Sequence, residues 1–219
     1  MGNLFLQGGG SYPKTAGMDK LFFAKIDKDR PLLYLPMAMV GYFTFDQCYE
    51  YFATLARNFT NQEIIMWNKI KNEDLQQFGG IYIGGGNTFK LLQDIQNAEF
   101  SASLENYLIN GGTVCGGSAG AIIFGKEIST SRDANIVHLK DTNGLNMLNG
   151  RSLWCHYKKQ DDEEILQYSK NYGIDVIALE DQCGLVIAEG MITPIGNIYV
   201  FSKTGKEKFN PIPWQIEKS

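Results

Sequence analysis

The sequence predicts an α/β protein built on a mostly parallel sheet, and three observations carry that expectation. Short β-type runs alternate with longer helical stretches through roughly the first 125 residues. Glycine clusters stand at 8–10, 84–86 and 116–120, each directly after a β-type run. Beyond that point the β-type runs follow one another with turns such as Glu189-Gly190 and Gly196-Asn197 between them, which predicts extra antiparallel strands near the C-terminus. A chain of 219 residues buries roughly 70% of its unfolded surface, enough for one core, so a single domain over 1–219 is expected.

The elements follow from apolar spacing. Leu4–Leu6 is the first strand. Met18–Asp29 reads as a helix because Leu21, Phe22, Lys25 and Ile26 recur at three-and-four spacing. Pro31–Leu35 is the second strand, and Phe45–Asn58 an amphipathic helix capped by Thr44, with Tyr49, Phe52, Ala53 and Ala56 on one face. Ile64–Trp67 and Ile81–Ile83 are strands, Thr88–Ile95 and Phe100–Ile109 helices, and Thr113–Cys115 the fifth strand. Ala121–Phe124 then turns helical. Ser152–Cys155 is β-like and Asp161–Lys170 helical, followed by strands at Val176–Leu179, Leu185–Ala188, Met191–Thr193 and Ile198–Phe201. Parallel sheets of this kind place their sites at the carboxyl ends of strands, where the three glycine clusters fall.

Composition removes several function classes. The net charge is −4 and no basic stretch exceeds Lys158-Lys159, so the cationic footprint of a nucleic-acid binder is missing. No apolar run approaches a membrane span. Cys48, Cys115, Cys155 and Cys183 have no CxxC spacing, which argues against a zinc ribbon or a disulfide scaffold. The expectation is a soluble, reduced, cytoplasmic protein with no nucleic-acid or membrane partner.

Gly116-Gly117-Ser118-Ala119-Gly120 fits G-x-S-x-G between a β-type run and a helical run, the context of a nucleophile elbow. Small neighbours there let strand, turn and helix pass closely, and the helix N-terminus favours developing negative charge. A plain glycine turn or a phosphate loop is the competing interpretation. Gly84-Gly85-Gly86-Asn87-Thr88 fails the dinucleotide fingerprint, since the sixth position is Phe89, and lacks the P-loop ending. Its backbone N–H groups are candidates for one oxyanion donor, with Ala119 N–H as the other, while Asn87 also suits a helix cap. A serine needs a base, and the chain has two histidines. His156, after a β-like stretch, is favoured over His138 in a polar segment. For the acid that orients the imidazole, Asp133 is the first choice, the Glu180-Asp181 pair the second, and Asp141 a further option. Gly8-Gly9-Gly10-Ser11 is most simply a strand-to-helix turn. Cys115 is expected to be buried in its strand, Cys155 to point to the face opposite His156, and the aromatics of the 45–58 helix to be core.

Ile83-Gly84-Gly85-Gly86-Asn87-Thr88-Phe89 with Leu91-Leu92, and Ser118-Ala119-Gly120-Ala121 about 30 residues later, resemble dipeptidase E and its relatives, a serine-peptidase family that includes cyanophycinase. The resemblance extends through Asp141–Leu145, Cys155-His156-Tyr157 and Leu179–Ile187, most of the chain. It implies a three-layer, flavodoxin-like α/β sandwich related to class I glutamine amidotransferases, with serine in place of their elbow cysteine. It also implies Ser118 as nucleophile and His156 as base. Asp133 matches the acid of the aspartyl dipeptidase, whereas relatives with a later acid point to Asp181 or Glu180. Gly85, Gly86 and Ala119 would form the oxyanion hole, with Asn87 and Thr88 beside it for substrate binding. No metal or organic cofactor is implied, and the partner would be a small peptide substrate met by a monomer or homodimer. The segment after His156, Lys158-Lys159-Gln160-Asp161-Asp162-Glu163-Glu164, lacks the basic clamp by which the aspartyl dipeptidase selects an N-terminal aspartate; two lysines there are point charges without a fork. The expected activity is hydrolysis of dipeptides or short peptides through an acyl-enzyme. The alternative is a catalytically silent or non-peptidase relative that binds or hydrolyses a small amide metabolite.

Overall fold

A computed structural model describes residues 1–214; the last five positions of the expected 1–219 domain lie outside the described residues. Its main sheet begins with β1 (Asn3–Gln7), β2 (Leu32–Leu35), β3 (Ile64–Met66), β4 (Gly80–Ile83) and β5 (Thr113–Gly117). These five are parallel, in the spatial order β1-β5-β4-β2-β3. Alternate side chains of each strand enter different cores. Leu4, Leu6, Leu33, Leu35, Ile81, Ile83 and Val114 join one cluster, while Phe5, Leu32, Tyr34, Tyr82 and Cys115 join the other. Burial on both faces is why these strands read as continuous apolar runs.

The helices make the outer layers. α1 (Ala16–Phe23) and α2 (Phe45–Ala56) bring Met18, Phe22, Cys48, Phe52 and Leu55 to one face. α3 (Thr88–Asn97), α4 (Phe100–Ile109) and the short α5 (Ala119–Ile122) bring Leu91, Leu92, Leu104 and Ala121 to the other. Thr44 and Gln47 close a reciprocal capping box on α2, as its sequence predicts. α1 stops at Phe23 rather than at Asp29. Past it the backbone turns to meet the sheet: Asp27 N–H donates to the Gly79 carbonyl, and the Asp27 carboxylate accepts from Asp29 N–H and Arg30 Nε. Tertiary pairing overrides the helical spacing there.

The C-terminal strands divide between two sheets. β8 (Gly184–Ala188) pairs antiparallel with β1, and β9 (Met191–Ile195) and β12 (Ile212–Pro213) extend that edge. β6 (Ser152–Trp154), β7 (Val176–Leu179), β10 (Ile198–Ser202) and β11 (Gly205–Lys208) form a separate four-stranded sheet backed by α6 (Asp162–Tyr172). The sequence predicts antiparallel strands here but not the second sheet, nor β11, whose Gly-Lys-Glu-Lys has no apolar alternation and is held by backbone pairing to β10. No helix among the described residues is long and apolar enough to cross a membrane. In-register pairing brings Gln7 opposite Gly117 and Ile83 opposite Gly116, so the carboxyl ends of β1, β4 and β5 open at one edge.

Candidate active site

Ser118 stands at the turn between β5 and α5 with φ 51° and ψ −111°. A non-glycine residue held there carries strain of about 1–3 kcal/mol, so the surroundings must enforce it. They do so through the backbone: Ser118 N–H donates to the Gln7 carbonyl at 3.0 Å, and Ser118's own carbonyl accepts from Ala121 and Ile122 N–H. The helix packs back onto the strands so closely that a Cβ at Gly120 would lie 2.3 Å from the Ile83 carbonyl oxygen. The elbow expected from G-x-S-x-G is present.

β6 delivers His156 to the same edge. Its N–H donates to the Gly8 carbonyl at 2.8 Å, and its φ of 56° turns the ring toward the serine. Ser118 Oγ lies 2.8 Å from His156 Nε2, and His156 Nδ1 lies 2.8 Å from Asp181 Oδ1. Asp181 sits on the turn after β7, which is itself tied to the β1 end by Gln182 N–H to the Gly9 carbonyl and Gly8 N–H to the Cys183 carbonyl. The imidazole lies against Gly9, where an added Cβ would fall 2.1 Å from its Cε1. The sequence leaves Gly9 as a plain turn residue. Its contact is with a residue almost 150 positions away, and no local signal reports it.

The other candidates have different surroundings. Asp133, the first choice for the acid, does not reach His156: its Oδ2 accepts from Thr88 N–H (2.7 Å), Thr88 Oγ1 (2.7 Å) and Ser131 Oγ (2.8 Å). The second choice, the Glu180-Asp181 pair, supplies the neighbour through Asp181, while Glu180 contributes its carbonyl to Cys183 N–H. Asp141 accepts from Asn143 in a local turn, and His138 is exposed on the 135–139 loop. Asn87 and Thr88 are also occupied structurally. Asn87 Oδ1 caps α3 through Lys90 N–H and its Nδ2 donates to the Ala134 carbonyl, so both side chains tie the 131–134 loop to α3 instead of facing substrate.

Gly85, Gly86 and Ala119 differ from those two. Gly84 and Asn87 N–H donate to Leu35 and Ala38 carbonyls on either side, whereas the N–H groups of Gly85, Gly86 and Ala119 have no acceptor among the described residues. Gly85 lies directly against Ser118, its ideal Cβ position 3.3 Å from Ser118 Cβ. Donors left open beside a strained serine are what stabilisation of a tetrahedral oxyanion requires.

Two cavities flank Ser118 and share Met39, Phe43, Gly86 and His156. One, of about 510 Å³, runs over α2 and the ends of β2 and β4; the other, of about 390 Å³, is bordered by Thr130, Ser131, Arg132 and Asp133. In the second, Arg132 is held by Asp161 at 2.5 Å and lies over the Trp154 ring. The cysteines do not compete with Ser118. Burial pushes the Cys115 and Cys155 thiols well above their usual range, and the carboxylates of Asp19 near Cys115 and of Asp181 and Asp133 near Cys155 push the same way. No group of three or more His, Cys, Asp or Glu side chains among the described residues is placed to hold a metal ion.

The chain has relatives among known proteins. The chain is 30% identical over 151 residues to peptidase E of Nostoc sp., covering 63% of this chain and 61% of that protein. Against peptidase E of Actinobacillus pleuropneumoniae serotype 5b the identity is 29% over 154 residues, 67% of this chain and 65% of the relative. A Shewanella denitrificans peptidase E is 39% identical over 69 residues, covering 32% of this chain and 29% of that protein. The chain thus spans less than two thirds of the length of these curated relatives. Among solved structures, a candidate peptidase E protein from Listeria monocytogenes EGD-e superposes with a TM-score of 0.67 at 18% identity, over 92% of this chain and 98% of that one. A peptidase from an acI-B1 actinobacterium gives 0.70 at 16%, over 97% of each. At these identities the likeness establishes the fold, the α/β sandwich expected above. Residues 4–195 match the family as a whole, and the chain belongs to peptidase family S51.

Proposed function

We propose that this protein is a serine peptidase that cleaves dipeptides or other short peptides through an acyl-enzyme on Ser118. The observation that carries the proposal is the continuous Ser118–His156–Asp181 relay, 2.8 Å at each link, on a strained elbow. In this reading His156 carries its proton on Nδ1, donates it to Asp181 and leaves Nε2 free. Nε2 takes the Ser118 proton as Oγ attacks the scissile carbonyl, and the oxyanion accepts from Ala119 N–H and a Gly85 or Gly86 N–H. The imidazolium, stabilised by Asp181, then gives that proton to the leaving amine as the C–N bond breaks. Water, deprotonated by the same nitrogen, hydrolyses the ester and returns the proton to Ser118. Small substrates suit cavities of a few hundred cubic ångströms and a site without a long groove.

A fluorophosphonate tests the central step without knowledge of the substrate. It should add one adduct on Ser118, and Ser118→Ala or His156→Ala should abolish labelling. Folded protein that stays unlabelled at Ser118 would sink the mechanism and leave a silent binding protein as the better account.

A further inference from the structure

The larger cavity beside Ser118 has walls of a definite chemistry. Its floor is Tyr34, Phe52 and Tyr82, all buried, with Tyr34 stacked on Phe52 at 4.2 Å and Phe52 against Tyr82 at 4.8 Å. Phe43 and Tyr51, both about half exposed, stand at its mouth. None of its lining residues is Lys, Arg, Asp or Glu.

Away from the Ser118 end, where the Gly85 and Gly86 N–H groups are open, several of its polar side chains already have partners. Gln7 Nε2 donates to the buried Asp19 carboxylate at 2.7 Å, Tyr82 Oη donates toward Gln7 Oε1 at 3.4 Å, and Tyr51 Oη accepts from Tyr12 N–H. Burial pushes the Tyr34 and Tyr82 hydroxyls far above the usual phenol range, so these two floor residues carry no charge near neutral pH. Behind Gln7 lies the buried Asp19 carboxyl group. A substrate carboxylate entering this space away from His156 would lose water, find no lysine or arginine and face that carboxyl group. An ammonium group would find no exposed acceptor of opposite charge. A large uncharged side chain would lose nothing and bury its whole apolar surface against aromatic rings.

We infer that this cavity selects a bulky uncharged side chain, aromatic or branched aliphatic, in one residue of the cleaved dipeptide. The inference rests on the serine-peptidase reading for the identity of its substrate, and it assigns to this chain a specificity unlike an acidic one. Phe43, Tyr51 and the Tyr34–Phe52–Tyr82 floor are its determinants.

The test uses the parent protein and three single variants of it. Calorimetric binding to Ser118→Ala is measured for Phe-Gly, Gly-Phe, Asp-Gly, Gly-Asp, Lys-Gly and Gly-Lys, and turnover of the same six by the parent protein. Either Phe-Gly or Gly-Phe should bind at least roughly 10-fold tighter than every charged dipeptide and be cleaved with kcat/KM roughly 100-fold higher, since one methylene in an apolar pocket already discriminates about 10- to 200-fold. Tyr51→Ala, at an exposed position, should shrink that preference several-fold. Phe43→Arg should raise binding of an acidic dipeptide roughly 10-fold. Asp-Gly or Gly-Asp equal to or better than the aromatic pair would overturn the inference, as would no dipeptide binding at millimolar concentration. Aromatic preference in binding, with neither turnover nor fluorophosphonate labelling of Ser118 in the parent, would uphold the cavity's selectivity and remove the peptidase reading instead.

Discussion

Asp133, on the loop between α5 and β6, and Asp181, on the turn between β7 and β8, present carboxylates that meet different partners. Asp133 accepts from Thr88 N–H and Oγ1 at the first turn of α3, where the helix dipole also favours an anion, and from Ser131 Oγ on its own loop. Asp181 holds a single ring nitrogen, with its side chain 46% exposed. The first arrangement locks a loop to a helix. The second leaves one acceptor facing an imidazole, a group whose charge can change. The contrast teaches that a carboxylate's role is set by whether its donors can titrate, not by its distance from the nucleophile along the chain.

That contrast can be broken most forcefully at Asp181. Asp181→Asn should slow fluorophosphonate labelling of Ser118 by about 10³- to 10⁴-fold, because the imidazole loses the partner that fixes its tautomer and stabilises its cation. Thermal stability should hardly move, since this carboxylate is half exposed and carries one hydrogen bond. Labelling within 10-fold of the parent would remove Asp181 from the relay.

Gly9→Ala comes next. A methyl group placed 2.1 Å from the imidazole must push the ring aside, and at φ 132° the new residue is strained as well. Labelling should fall roughly 100-fold, the usual consequence of an ångström-scale displacement of a catalytic group. The labelling rate of Gly9→Ala in protein with a parent-like circular dichroism spectrum is the measurement. An unchanged rate would mean that the ring has another resting place.

Asp133→Asn should produce the converse result. It weakens a charge-assisted cluster at the start of α3 and should cost about 1–2 kcal/mol in the urea unfolding free energy, while labelling stays within about 10-fold. A large loss of labelling with unchanged stability would hand the acid's role to Asp133 and reverse the comparison.

These differences mirror what was legible in the sequence. The five parallel strands were legible because burial on both faces writes continuous apolar runs, and Ser118 because its neighbours must be small for the elbow to close. His156 followed from a shortage of histidines. The acid did not follow, since carboxylates are common and the pairing of Asp181 with His156 depends on how β6 and β7 leave the main sheet for a second one. Phe52 was read as core from helical spacing, and it is buried, but one side of it also faces the cavity, a distinction that periodicity does not carry. Gly9 and Thr88 have roles fixed by long-range contacts, invisible to local pattern, whereas the capping of α3 by Asn87 is local and legible.

A third carboxyl group extends the comparison and gives the smallest effect. Asp19 is fully buried under the cavity floor, and burial raises its pKa above the ordinary 3.8, with Thr15, Gln7 and Tyr82 offsetting only part of that rise. Asp133 and Asp181 meet strong donors or water, whereas Asp19 has the neutral amide of Gln7. Its proton is therefore bound more tightly in the folded state than in the unfolded one. Between 3.8 and the raised value the folded state holds more protons, so stability declines as pH rises through that window and levels off above it. Asparagine does not titrate and retains an oxygen for Gln7. The stability of Asp19→Asn relative to the parent should thus improve between pH 4 and pH 7.5, read as the difference in urea midpoints at the two values. A difference that stays constant, or shifts toward the parent at the higher pH, would mean that the Gln7 bond to the anion outweighs its desolvation, and that the floor of the cavity carries a charge the protein has made favourable.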